Sequence, residues 1–235
     1  MIKVGPALRR IGETALDAVL PPRCAGCGRF GGFLCDQCEA ALIVAAPPRC
    51  EICWQPVARP PTCPRCSAQR PAFEGLRAPY VFEGIARELV HALKYRQQRA
   101  LASAAAALLA RYLEKQPVPF DVIVPVPLHP HRERTRGYNQ SALIARGLAR
   151  ELGVPVAEKA LVRRRNTPSQ AGSPGAEERR ANVAGAFAYR GSPLAGSALL
   201  VDDVSTTGAT LDSCARVLRE NGAACVWALT FARED

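Results

Sequence analysis

The string Ala198-Leu-Leu-Val-Asp202-Asp203-Val-Ser-Thr-Thr-Gly-Ala-Thr210 restricts the fold of this chain more than any other part of it. An apolar run ends in two adjacent carboxylates, a short Ser/Thr/Gly loop follows, and an amphipathic segment starts at Leu211. Such a pattern predicts a buried strand, a phosphate-sized loop and a helix N-terminus, where N–H groups, hydroxyls and the helix dipole favour an anion. The acids stand at the carboxyl end of the strand, where open α/β sheets bind ligands. Carboxylates beside a phosphate cradle repel the guest unless they face sugar hydroxyls or a metal-chelated diphosphate. A phosphorylated ribose satisfies both demands. No Gly-x4-Gly-Lys-Ser/Thr loop is present, which excludes a Walker A site.

Cysteines set the other constraint. Eight of the ten fall into four Cys-x-x-Cys pairs, Cys24/Cys27, Cys35/Cys38, Cys50/Cys53 and Cys63/Cys66. Two such pairs close a tetrahedral four-sulfur zinc site, each chelating from one tight knuckle. Gly28 after Cys27 suits such a knuckle. A disulfide framework needs an oxidising compartment, and nothing in the chain points to one: Glu13 and Asp17 interrupt any signal-peptide core, and no run reaches membrane-spanning length. The expected setting is the cytoplasm, without membrane insertion. Sequential pairing puts Cys24, Cys27, Cys35 and Cys38 on one zinc and Cys50, Cys53, Cys63 and Cys66 on the other; an interleaved pairing is the alternative. Cys214 and Cys225 read as small core residues.

The chain of 235 residues accommodates a medium domain and a small appendage. Its net charge of +10 suits polyanionic partners, a diphosphate or a nucleic acid, without choosing between them. We expect an N-terminal helix within 1–22, with apolar positions between 6 and 20, a double zinc ribbon over 23–70, and an α/β domain over 71–235. In that domain Ala78 to Phe82 reads as a strand, 85–95 and 100–114 as helices, and 122–126 as a strand. A helix over 138–152, an edge strand over 154–156, a strand over 186–189 and a final strand over 225–231 complete it. Strands alternating with helices imply a doubly wound, mostly parallel sheet.

A second cluster, residues 125–140, follows a core strand and places His129, His131, Arg132, Arg134 and Arg136 close together in what reads as a loop. Cations this dense call for an anion. Pro125, Val126 and Pro127 lead into it. Lys94, at the end of its helix, either aims its ammonium at phosphate or lies solvated. Asn139 and Gln140 either cap the next helix or reach the ligand. Arg163, Thr167, Gln170, Arg179, Arg180 and Asn182 lie in a polar insertion before the 186–189 strand.

The Asp-Asp string resembles the loop of type I phosphoribosyltransferases that binds phosphoribosyl pyrophosphate (PRPP). The resemblance implies that Asp202 and Asp203 hold ribose hydroxyls. Ser205, Thr206, Thr207, Gly208, Ala209 and Thr210 would hold the 5-phosphate, with Mg²⁺ accompanying PRPP. Arg132, Arg134 and Arg136 then face the diphosphate, and the insertion forms the hood that selects an attacking base or amine. Leu-Lys-Tyr, Pro-Val-Pro-Leu-His, Arg-Gly-Tyr-Asn-Gln, Asn-Thr-x-x-Gln, Glu-Arg-Arg-x-Asn-Val and the acidic string follow the cysteines in one order. Nearly the whole chain in this way resembles the ComF family of bacterial competence proteins. That resemblance implies PRPP and single-stranded DNA as partners, together with a competence helicase or uptake machinery, and a role in natural transformation. The alternative is an active phosphoribosyltransferase acting on an unidentified amine or base. Aromatic platforms for bases are sparse in the ribbon: Phe30, Phe33 and Trp54.

Overall fold

The computed structural model describes residues 22–165 and 185–235. The expected N-terminal helix, and Thr167, Gln170, Arg179, Arg180 and Asn182, lie outside the described residues. The cysteine region carries two single-turn helices, α1 (Asp36–Ala40) and α2 (Pro64–Ala68). Next come β1 (Gly75–Arg77), β2 (Tyr80–Val81), α3 (Gly84–Tyr95), α4 (Leu101–Lys115) and β3 (Val122–Pro125). They are followed by α5 (Pro130–Arg136), α6 (Gln140–Leu152), β4 (Leu161–Arg163), β5 (Phe187–Tyr189), β6 (Ser197–Ser205), α7 (Ala209–Glu220) and β7 (Cys225–Arg233).

The main sheet has five strands, with β6 between β3 and β7, and both β1 and β2 on the far side of β7. Every pairing in it is parallel. Strand β6 is buried on both faces, so it reads as a continuous apolar run. Ala198 and Leu200 pack with α7 residues such as Leu211 and Leu218. Leu199 and Val201 pack on the opposite side with Leu89, Leu93, Leu109 and Ile144 of α3, α4 and α6. This alternation is the two-residue period of a strand serving two cores. Helices on both faces give the doubly wound architecture.

Three expected strands differ in detail. The strand expected over 78–82 shortens to β2, and an unpredicted β1 precedes it; Ala78-Pro79 parts the two, because proline cannot donate to the ladder. Residues 154–156 contribute one bridge, Val156 to Ile123. Strand β5 does not join the main sheet; it pairs antiparallel with β4, Leu161 opposite Tyr189 and Arg163 opposite Phe187. The two strands flank the polar insertion.

The cysteines pair sequentially. Cys24, Cys27, Cys35 and Cys38 form one cluster and Cys50, Cys53, Cys63 and Cys66 the other, with the sulfurs of each cluster within 4.8 Å of one another. Cys27 and Cys35 Sγ lie 3.7 Å apart, as do those of Cys53 and Cys63. A zinc tetrahedron with bonds of about 2.3 Å has an edge of about 3.8 Å, so both clusters fit the ion. Backbone N–H groups of Cys35 and Cys63 donate to Cys24 and Cys50 sulfur. Gly28 takes φ +73°, the left-handed knuckle conformation that its position after Cys27 suggests. Sulfurs this close compete for charge: Cys66 donates to Cys53, which holds Cys53 down to about 4 and drives Cys66 far upward. A zinc ion held by the four sulfurs would end the competition by taking them all as thiolates.

Both clusters grip the β1/β2 edge. From the first, Val81 N–H donates to Ile43 O and Ala45 N–H to Pro79 O, while Arg111 of α4 pairs with Glu39. From the second, Leu76 N–H donates to Ile52 O, and Trp54 Nε1 to Ala78 O at 2.7 Å. All four cysteines of the second cluster are buried within the α7-side core, whereas Cys27 of the first is exposed. The second cluster is therefore a structural part of the α/β core. Cys53→Ser is expected to lower the melting temperature by roughly 6–12 °C, at about 2–4 °C per kcal/mol for a chain of this size. Cys27→Ser is expected to lower it by less than half as much. Calorimetric scans check this, and equal losses at the two clusters would contradict it.

Candidate functional site

Strand β6 ends at Ser205, residues 206–208 turn, and α7 starts at Ala209. Gly208 makes the turn in the left-handed region at φ 77°. Ala209 N–H donates to Thr207 Oγ1 at 3.3 Å. Above this corner lies a cavity of about 1370 Å³. Asp202, Asp203, Ser205, Thr206, Gly208, Ala209 and Thr210 all line it, while Thr207 does not. Open α/β sheets place their ligands at this end of the strands.

The two acids are held differently. Asp203 is 3 % exposed and shares a face with Leu199 and Val201, which carries it towards α3. Lys94 Nζ meets it at 2.9 Å. Burial opposes the charge on Lys94, but Asp203 outweighs it and the ammonium pKa stands above its ordinary value. The second oxygen of Asp203, Oδ2, is buried without a hydrogen-bond partner. Asp202 accepts from Ser141 Oγ at 2.6 Å and from the Asp203 N–H at 2.9 Å. Burial, and then the neighbouring Asp203 charge, push its carboxyl up to about 7. Both acids thus have protein partners, and the cavity beside them is open.

The arginine-rich stretch is not the expected loop but helix α5. Pro130 occupies its first turn, His129 Nδ1 caps it by accepting from His131 N–H at 3.2 Å, and Gly137 ends it. The helix sends His131, Arg132, Thr135 and Arg136 into the cavity wall; Arg134 is exposed and does not line it. Val126 and Pro127 line it too, whereas Pro125 is the end of β3, opposite Val201. Arg136 bonds Gln140 and lies 5.7 Å from the Tyr95 ring centroid. Asn139 is a cap: its side chain accepts from Ser141 and Ala142 N–H and donates to Val126 O. Arg163 enters the wall from β4, and its pKa is lowered by burial and then by Arg132. One cavity therefore gathers the acid pair, the threonine loop and four arginines, Arg87 of α3, Arg132 and Arg136 of α5, and Arg163 of β4.

Wall residues that the sequence reading did not single out include Ser141 and the α3 side chains Arg87 and His91, while Tyr95 entered it only as the end of the Leu-Lys-Tyr motif. Ser141 carries no recognisable motif. Arg87, His91 and Tyr95 recur every fourth residue, but that stripe is the polar side of an amphipathic helix and reads as a solvated face.

Residues 15–71 match the model of the double zinc ribbon domain, and residues 91–234 match that of the phosphoribosyl transferase domain. DNA utilization protein YhgH of Salmonella typhi is 34% identical over 206 residues, covering 83% of this chain and 89% of that protein. Competence protein F of Haemophilus influenzae is 29% identical over 229 residues, 86% of this chain and 99% of the relative. Competence protein ComFC of Bacillus subtilis is 28% identical over 209 residues, 85% and 84% of the two chains. With two four-cysteine clusters gripping a parallel sheet of the type I phosphoribosyltransferase kind, the chain belongs to the ComF family.

Proposed function

We propose that this protein binds PRPP at the carboxyl end of β6, also binds single-stranded DNA, and acts in DNA uptake in the cytoplasm. The observation that carries the first part is the single cavity wall shared by Asp202, Asp203, the 205–210 loop, Arg132, Arg136 and Arg163. In this reading the acids accept hydrogen bonds from the ribose hydroxyls, and the buried, unpartnered Asp203 Oδ2 is one acceptor ready for them. Thr206 and Thr210 hydroxyls and the N–H groups at the start of α7 hold the 5-phosphate. Arg132, Arg136 and Lys94 face the diphosphate. Mg²⁺ would accompany the diphosphate and offset part of its charge, and Asp202 and Asp203 are the residues that would favour the cation there.

Uptake and single-strand binding are supported by the names of the competence relatives and by the net charge of +10. A second reading, phosphoribosyl transfer to an amine or base, is favoured by the two α5 arginines in the wall, which suit a departing diphosphate. Diphosphate release from PRPP across a panel of amines and bases separates transfer from binding alone.

Calorimetric titration with PRPP and Mg²⁺ tests the site. Asp202→Asn with Asp203→Asn is expected to weaken binding by roughly 100-fold or more, since hydrogen bonds to charged groups contribute about 1.5–3 kcal/mol each. Unchanged affinity would contradict the assignment. Affinity in the wild type is expected to rise as pH climbs through about 7, where Asp202 loses its proton and becomes a full acceptor.

The same shift has a stability consequence. An unfolded aspartate ionises near pH 3.9, so between about pH 4 and 7 the folded chain keeps a proton that the unfolded chain has lost. Stability without ligand therefore falls as pH rises across that window. Asp202→Asn removes this loss, and its melting temperature is expected to exceed that of the wild type by several degrees or more at pH 8 and to match it near pH 4. Thermal scans at the two pH values check the sign; an Asn variant less stable at pH 8 would contradict it.

A further inference from the structure

The cavity continues past the acid pair onto α3. Phe82, Arg87, His91 and Tyr95 line this end, with Arg136 reaching across from α5. Arg87, His91 and Tyr95 stand four residues apart on one helix face. The Phe82 and His91 ring centroids are 6.1 Å apart, and those of His91 and Tyr95 are 5.6 Å apart at 87°. Tyr95 is 70% exposed, and it follows Lys94, the partner of Asp203.

We propose that this aromatic ladder is where single-stranded DNA stacks its bases, with Arg87 on a flanking phosphate. The assignment rests on the single-strand reading above and gives it a place. An exposed tyrosine edged by arginines at the mouth of an open cleft suits bases of any sequence, because every base offers a π-face. Duplex DNA hides those faces in its own stack. The wall also carries Glu83 and Glu234, so positive charge alone does not define this end of the cleft.

The ribbon offers less. Phe33 packs against the α3/α4 core. Trp54 is tied to Ala78 O, and Arg77 lies 4.7 Å from its ring centroid. Phe30 is 59% exposed, but Arg23 lies over its ring at 4.2 Å. None of the three ribbon aromatics predicted from sequence is as exposed as Tyr95, from whose ring Arg136 stands further off at 5.7 Å.

Anisotropy of a labelled oligo(dT) at fixed salt reads the proposal. Tyr95→Ala is expected to weaken binding roughly 5- to 100-fold, the range of one lost stacked base, while Tyr95→Trp retains it. PRPP affinity, measured on the same Tyr95→Ala protein, is expected to stay within about threefold, which shows that the neighbouring site is intact. In the wild type, 5-iodouracil in the oligonucleotide is expected to photo-crosslink to α3. If Tyr95→Ala binds as the wild type does and crosslinks map to the ribbon, the location is wrong although single-strand binding stands. If the wild type fails to bind oligo(dT) at low salt, the single-strand reading fails and the ladder with it.

Discussion

Two neighbouring carboxylates at the end of a buried strand cannot both carry full charge without something opposite them, and this constraint organises the whole site. Lys94 meets Asp203 at 2.9 Å, and Ser141 with a backbone N–H meets Asp202. The compensation is incomplete: Asp202 still holds its proton to about 7, and Asp203 Oδ2 has no hydrogen-bond partner. A guest rich in hydroxyls and accompanied by a cation completes what the protein leaves open. Helix α3 thereby supplies a lysine to the acids and a tyrosine to the cleft from adjacent positions.

The ribbon reaches this site through the end of the chain. Phe82 N–H donates to Arg233 O, and Glu234 N–H donates to Ser205 O where the loop begins. Asp235 then takes both terminal nitrogens of Arg49, next to Cys50, at 2.6 Å. Arg49 is nearly buried, so removing its partner would strand a charge. The second cysteine cluster, the C-terminal residues and the start of the loop therefore form one connected structure. Order in the cluster supports order in the loop.

The strand, loop and helix around Asp202 were legible because an apolar run, an acid pair and a Thr/Gly turn each have one local solution. Cysteine spacing likewise made two compact knuckle pairs readable. Helix α5 was hidden because its charged composition reads as loop; the cue was local, Pro130 in the first turn after a capping His129. Strand β4 was hidden, and β5, expected over 186–189, was read into the main sheet, because the two find each other only across the long polar insertion. The Lys94 to Asp203 pair joins residues 109 positions apart, so no local pattern could disclose it. Sequence could aim Lys94 at phosphate, but only packing shows that an acid holds it first.

The most direct measurement is a crystal structure of the protein grown with PRPP and Mg²⁺. The account predicts ribose hydroxyls on Asp202 and Asp203, the 5-phosphate in the Thr206–Thr210 loop, and Lys94 turned from Asp203 towards the diphosphate. A Lys94–Asp203 pair left as it is, with the ligand bound away from the end of β6, would contradict it.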